Sequence, residues 1–184
     1  MTALPHGAGA ASSWVERWAH LITPQGHVLD LACGQGRHMR YLHGMGFQCL
    51  GLDRDATALD VAKSHGDVLQ ADVENQPWPL ANVQFDAVVV TNYLWRPLWP
   101  HILGSLKPGG VLIYETFSAG NETVGKPSNP NFLLRTGELL EVCQNLRVVA
   151  FEDGFLSDPA RFVQRIVATT SQRPAQDLKL ESIL

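Results

Sequence analysis

Three features are scarce in this chain, and each shortage removes a class of protein. Cysteine comes first: Cys33, Cys49 and Cys143 are odd in number and far apart in a chain of 184 residues. They form no CxxC pair and no metal-ligand cluster, so neither a disulfide framework nor a metal centre is expected. Buried thiols in a reducing cytoplasm are the plain reading. Long apolar runs are absent, and nothing approaches the ~18 residues that span a bilayer. The start, MTALPHGAGAASS, lacks a basic stretch and an apolar stretch, so it does not read as a secretory signal. Positive charge is also in deficit, with 14 Lys and Arg against 18 Asp and Glu, a formal charge of −4. That balance offers nucleic acid no long-range attraction and argues against it as a partner.

What is present reads as alternating strands and helices. SSWVERWAHLI has helical spacing after Ser12 or Ser13 as a cap. HVLDLAC is a short apolar strand, followed by a helix from about Gly36 to His43. A second strand runs from Gln48 to Asp53, then come a short helix in DATALDVAKSHG and a third strand in DVLQADV. FDAVVVTNYL is nearly all apolar, as a strand buried on both faces should be. RPLWPHILGSL is a helix, KPGG a turn and VLIYETF a fifth strand. A helix in TGELLEVCQNL and a closing hairpin in RVVAFEDGFLSDPARFVQRIVATT complete the pattern. The expected organisation is a flexible stretch over 1–12, one domain over 13–170 and a polar tail over 171–184. Residues 118–134 have no clear period, and loops of that length are usually functional or mobile.

This order argues for an α/β domain with a mostly parallel sheet and an antiparallel end. Ligands of such sheets bind at the carboxyl ends of the strands. Here the first five strands end at Asp30, Asp53, Asp72, Thr91 with Asn92, and Glu115 with Thr116. The glycine loop ACGQG, between the first strand and its helix, then decides the ligand class. A phosphate loop needs Lys and Ser or Thr after its last glycine, but Arg37 and His38 stand there. A dinucleotide fingerprint needs a third small residue after Gly34 and Gly36, and Met39 occupies its place. Asp30 would repel a pyrophosphate and suits a cationic group. Asp53 can accept from both ribose hydroxyls, and Asp72 from an exocyclic amine such as adenine N6.

VLDLACGQGRH, GLDRD, LQADVE, FDAVVVTNYL and LKPGGVLIYETF, in that order, resemble the successive motifs of class I S-adenosylmethionine-dependent methyltransferases. The resemblance covers roughly Trp14 to Thr170 and is nearest to small bacterial enzymes of the tellurite-resistance or generic type. It implies a Rossmann-like three-layer α/β sandwich, with seven strands and an antiparallel last strand inserted beside the fifth. Ala32, Gly34 and Gly36 would lie against the methionine part of S-adenosylmethionine, and Asp30 would reach its ammonium directly or through water. Asp53 would hold the ribose, Arg54 would lie near the adenine face, and Asp72 with the backbone of Val73 would read the adenine edge. Asn92 would lie under the methionine portion. The sequence departs at Ala32, often glycine in the family, and at Gln35, where a small hydroxyl residue is common.

Arg37 and His38 begin a helix, where basic residues oppose the macrodipole. They are either a solvated first turn or contacts to the cofactor's carboxylate side. The tryptophans read as core, with Trp95 at the mouth of the site as the exception. Arg17 is a surface residue or part of a lid. An internal Arg165 would need a partner, and Arg161 would lie near the active edge. Tyr93 and Glu115 are the candidates to orient or deprotonate an acceptor, and 118–134 is a candidate lid whose Lys126 and Arg135 could attract an anionic one. The activity expected is methyl transfer from S-adenosylmethionine, yielding S-adenosylhomocysteine, to a small-molecule acceptor. A nicotinamide-dependent oxidoreductase and a non-catalytic S-adenosylmethionine-binding regulator are the alternatives. A monomer and a homodimer fit equally.

Overall fold

A computed structural model describes residues 9–180. The expectation of flexibility at the N-terminus therefore lies outside the described residues for 1–8. Residues nearer the domain are engaged: Ser12 is buried and caps the first helix, its hydroxyl accepting from the Trp14 amide at 3.1 Å.

Seven strands form one sheet: β1 (His27–Leu31), β2 (Gln48–Asp53), β3 (Asp67–Gln70), β4 (Phe85–Thr91), β5 (Leu106–Phe117), β6 (Arg147–Ser157) and β7 (Ala160–Thr169). Their order is β3-β2-β1-β4-β5-β7-β6. The first five are parallel, and β7 enters antiparallel between β5 and β6. This is the expected Rossmann-like arrangement, with the last strand beside the fifth.

The helices are α1 (Ser13–Trp18), α2 (Arg37–Gly44), α3 (Ala56–Ala62), α4 (Trp99–Gly104) and α5 (Glu138–Val142). Strand side chains alternate between two cores. Val28, Ala87, Val89, Val111 and Ile113 pack with Trp14, Trp18, Met39, Leu42 and Leu59 from α1, α2 and α3. Leu29, Val88, Val90, Leu112 and Tyr114 pack with Ile102 of α4 and Leu139 of α5. Both faces are covered, which is why β4 reads as an unbroken apolar run.

Two strand boundaries differ from the sequence reading. The third strand stops at Gln70, because Asp72 accepts the Glu74 amide at 3.2 Å and closes a turn of its own. The KPGG turn lies inside β5: Leu106 pairs with Phe85 and Val111 with Ala87, so residues 107–110 bulge out without ending the strand. Segment 118–134 is a packed loop. Buried Asn121 donates to the Pro127 carbonyl at 3.0 Å and accepts from the Phe162 amide at 3.2 Å.

Met39 explains how the loop lacks its third glycine. A Cβ on Gly51 of β2 would come within 2.4 Å of the Met39 Sδ, so the glycine that lets helix and sheet approach stands on the neighbouring strand. Gly51→Ala is expected to cost about 1–3 kcal/mol through overpacking. In that background Met39→Ala should cost less than it does alone, giving a coupling above about 0.5 kcal/mol in urea unfolding. Strictly additive losses would show that the two do not share this space.

Candidate functional site

The winding of the sheet reverses between β1 and β4, and the chain leaving both strands turns through the left-handed region. Ala32 has φ 56° and Asn92 φ 53°. Alanine there costs roughly 1–2 kcal/mol relative to the right-handed region, so Ala32 does the conformational work of the glycine it replaces. Gly34 (φ 54°) and Gly36 (φ 77°) continue the loop, and a Cβ on Gly36 would meet the Ala62 Cβ at 2.9 Å. Asp53 ties this loop to β2. Its Oδ2 accepts from the Gly34 amide at 2.8 Å and its Oδ1 from the Asp55 amide at 3.0 Å.

A cavity of about 490 Å3 opens beside the loop, lined by Ala32, Leu52, Asp53, Arg54, Asp55, Ala71, Asp72, Val73, Glu74, Tyr93 and Phe132. Five of the expected cofactor residues meet here: Ala32, Asp53, Arg54, Asp72 and Val73. Four carboxylates face one guanidinium, which is a poor setting for a phosphate. Asp72 is held below the usual carboxylate range, mainly by the amide side chain of Asn75, which donates to its Oδ2 at 2.8 Å.

Asp30, Gly34, Gly36, Arg37 and Asn92 are not on that wall; they lie at or just beyond the ends of β1 and β4 and at the start of α2. Asp30 is 1% exposed, and neither of its oxygens completes a hydrogen bond. Burial pushes its carboxyl up to about 7; Arg37 and the Met39 amide offset this only in part. The His38 Nδ1 lies 3.9 Å from it and 3.4 Å from the Thr91 hydroxyl. The side-chain oxygen of Asn92 is likewise buried without a donor. Three buried acceptor oxygens at the ends of two paired strands call for a group rich in donors. Arg37 is half-buried, its pKa lowered by burial, with Glu115, Asp30 and Arg161 the next influences.

Glu115 requires a correction. Expected at the mouth as an acceptor-activating base, it is fully buried and committed to an ion-pair cluster. Its Oε1 accepts from the Ser12 hydroxyl at 2.9 Å and lies 3.6 Å from Arg161, and its Oε2 accepts from Arg165 at 3.2 Å. Arg165 also bonds Glu152 and lies over the Trp14 ring at 4.7 Å, so this largely buried cation has the partners it requires. Arg17 joins the same network through Glu152 at 3.3 Å. Gln164 is structural too, accepting from the Leu139 amide at 2.6 Å.

Tyr93 does line the cavity. Burial, and then Glu74, push its phenol up, so near neutral pH it is a hydroxyl that can orient an acceptor but not a base. Trp95 packs with the second core and is absent from the cavity wall. Lys126 and Arg135, expected on a lid, stand apart from the cavity. Both are exposed and off the wall, and Arg135 pairs with Glu141 at 3.1 Å. Phe132 was missed altogether; an aromatic inside an aperiodic loop carries no spacing signal. All three cysteines are buried and free, and burial raises each thiol, so none is primed to react. Among the described residues no cluster could hold a metal ion, and no helix is long and apolar enough to cross a membrane.

A family model described as a methyltransferase domain matches residues 28–110. The structure of TehB from Haemophilus influenzae superposes with a TM-score of 0.75 at 18% identity, covering 90% of this chain and 64% of that one. The fold is that of class I S-adenosylmethionine-dependent methyltransferases. Two sequence relatives match parts of this chain. Malonyl-[acyl-carrier protein] O-methyltransferase of Pectobacterium atrosepticum is 29% identical over 141 residues, which are 65% of this chain and 54% of that protein. Ribosomal RNA small subunit methyltransferase H of Mycobacterium tuberculosis is 40% identical over 72 residues, 33% of this chain and 18% of that protein. The chain thus spans about half the length of one relative and under a fifth of the other.

The Glu115 cluster gives a stability test. Glu115→Gln leaves Arg161 and Arg165 short of a buried counter-charge and should cost about 3 kcal/mol in denaturant unfolding. A loss under about 0.5 kcal/mol would mean that the cluster does not hold α1 to the sheet.

Proposed function

We propose that this protein binds S-adenosylmethionine across the β1/β4 crevice and the adjoining cavity, and transfers its methyl group to a small-molecule acceptor. The observation that carries the reading is the set of buried oxygens on Asp30 and Asn92 that complete no hydrogen bond. They suit the ammonium of an amino-acid tail and repel a pyrophosphate, which disfavours the nicotinamide alternative. Met39 no longer bears on that choice, since Gly51 makes room for it.

S-adenosylmethionine, when bound, supplies an electrophilic methyl group on a sulfonium. The roles of the chain's own residues follow from their chemistry. Asp30 and Asn92 accept from the ammonium, and Arg37 meets the carboxylate. Ala32, Gly34 and Gly36 keep the loop free of side chains that would fill the space for the tail. Asp53 uses one acceptor position on each oxygen for the loop amides and keeps a second on each for the ribose hydroxyls. Asp72 and the backbone of Val73 read the adenine edge, beside Arg54. Tyr93 orients the acceptor through its hydroxyl. With Glu115 committed to arginines, no carboxylate is assigned as a base, and catalysis rests on alignment and exclusion of water. An acceptor whose nucleophile carries its charge or lone pair without prior loss of a proton is the fitting kind.

The acceptor class follows from charge and reach. The relatives are named for malonyl-[acyl-carrier protein] and for ribosomal RNA. A net charge of −4 and an acidic cavity favour a small molecule over RNA here.

Calorimetry with S-adenosylhomocysteine tests the cofactor part. Asp30 must be ionised to pair with the ammonium, and its carboxyl sits near 7, facing Arg37, His38 and Asp53. Affinity should therefore rise as pH goes from 6 to 8 and level off above that. Asp30→Asn should weaken binding and flatten the slope; an unchanged profile would remove Asp30 from the site. Asp53→Ala should weaken binding by roughly tenfold to a hundredfold, as loss of charge-assisted hydrogen bonds does. Labelled S-adenosylmethionine with a metabolite extract tests transfer. Binding without transfer to any component would favour the regulator reading.

A further inference from the structure

The wall of the cavity is built by the ends of β1 to β4, with one outsider. Phe132 comes from the loop after β5, nearly forty residues further along the chain than its neighbour Tyr93. Among the described residues it is one of nine large apolar side chains left exposed, at 46%, and the only one of these on the cavity wall. Ligand cavities are lined largely by apolar and aromatic side chains, so a ring on the wall is placed to meet a ligand there.

The backbone around Phe132 is fixed on both sides. Arg96, just after β4, donates from Nη1 to the Asn131 carbonyl at 2.9 Å and from Nη2 to the Leu133 carbonyl at 2.9 Å. The same guanidinium is clamped by buried Glu138, with Nε at 2.6 Å and Nη2 at 2.9 Å. The Asn129 side chain accepts from the Asn131 amide at 3.0 Å, and Leu133 and Leu134 are buried immediately beyond. This scaffold holds the ring out at the cavity while Leu133 and Leu134 go into the core.

We propose that Phe132 is a nucleoside-binding residue, closing the cavity over the base of the cofactor, and that Arg96 is its positioning residue. The inference rests on the cofactor reading above. Its chemistry is stacking: a flat, neutral base gains from an aromatic wall whatever its edge pattern. Arg54, Asp72 and Val73 then read the base, while Phe132 and Tyr93 supply apolar cover on a wall otherwise rich in carboxylates. The loop expected to act as a substrate lid is thereby assigned to the cofactor.

The test compares two probes by calorimetry. S-adenosylhomocysteine carries base, ribose and amino-acid tail, and 5′-methylthioadenosine lacks the tail. Phe132→Ala should weaken both by the same factor, about tenfold, as loss of one stacking partner does, and Phe132→Trp should retain affinity. Asp30→Asn should weaken S-adenosylhomocysteine alone. An unchanged affinity for both probes in Phe132→Ala, or a loss confined to S-adenosylhomocysteine, overturns the assignment. If the parent protein binds neither probe, the cofactor reading itself fails. Arg96→Ala should weaken both probes, and adding Phe132→Ala to it should bring no further loss. Two independent, additive losses would mean that Arg96 does not act through Phe132. Arg96→Lys gives the same comparison if the alanine variant does not fold.

Discussion

The site depends on one topological constraint, the reversal of winding between β1 and β4. Right-handed crossovers carry α2 and α3 to one face on the β2 side, and α4 to the other face on the β5 side. The connections therefore diverge, and a crevice opens where no helix can cover the strand ends. Ala32 and Asn92 stand at its two lips in the left-handed conformation. Asp53 ties the loop to β2 by accepting the Gly34 amide.

Two buried carboxylates on the same side of the sheet show how different surroundings produce different roles. Glu115 has a hydroxyl and two guanidiniums around it, which is the condition for burying a charge without large cost. It holds α1 and β7 to the centre of the sheet. Asp30, two strands away, has no completed hydrogen bond and a carboxyl raised to about 7. A buried group left under-satisfied is costly unless something else meets it, and functional sites are where such costs are kept. The same separation holds among the arginines. Arg165 and Arg96 are spent on structure, whereas Arg54 stays on the cavity wall.

Much of this was legible in the chain. The alternation of elements, the order of strand-end acids and the closing hairpin follow from local pattern, because strand and helix periods and turn residues act over a few positions. Asp53 and Asp72 could be placed for the same reason: each ends a strand, and parallel strands bring their ends to one edge. Glu115 shows the limit of that reasoning. It stands near a strand end and is polar, yet its partners Ser12, Arg161 and Arg165 lie far away in sequence, and only their convergence decides that it is an anchor. Met39 is a second case. Its size argues against a close helix–strand approach until Gly51, on another strand, is seen to absorb it.

The sequence by itself determined the class of fold, the loop at its first crossover and the acidic character of the edge where the parallel strands end. These depend on residue types at short, regular spacings. Tertiary structure alone decided which acids line the cavity, which are consumed by arginines, and that Phe132 belongs to the cavity. Those outcomes depend on long-range partners and on burial, and neither is a property of a residue's neighbours along the chain.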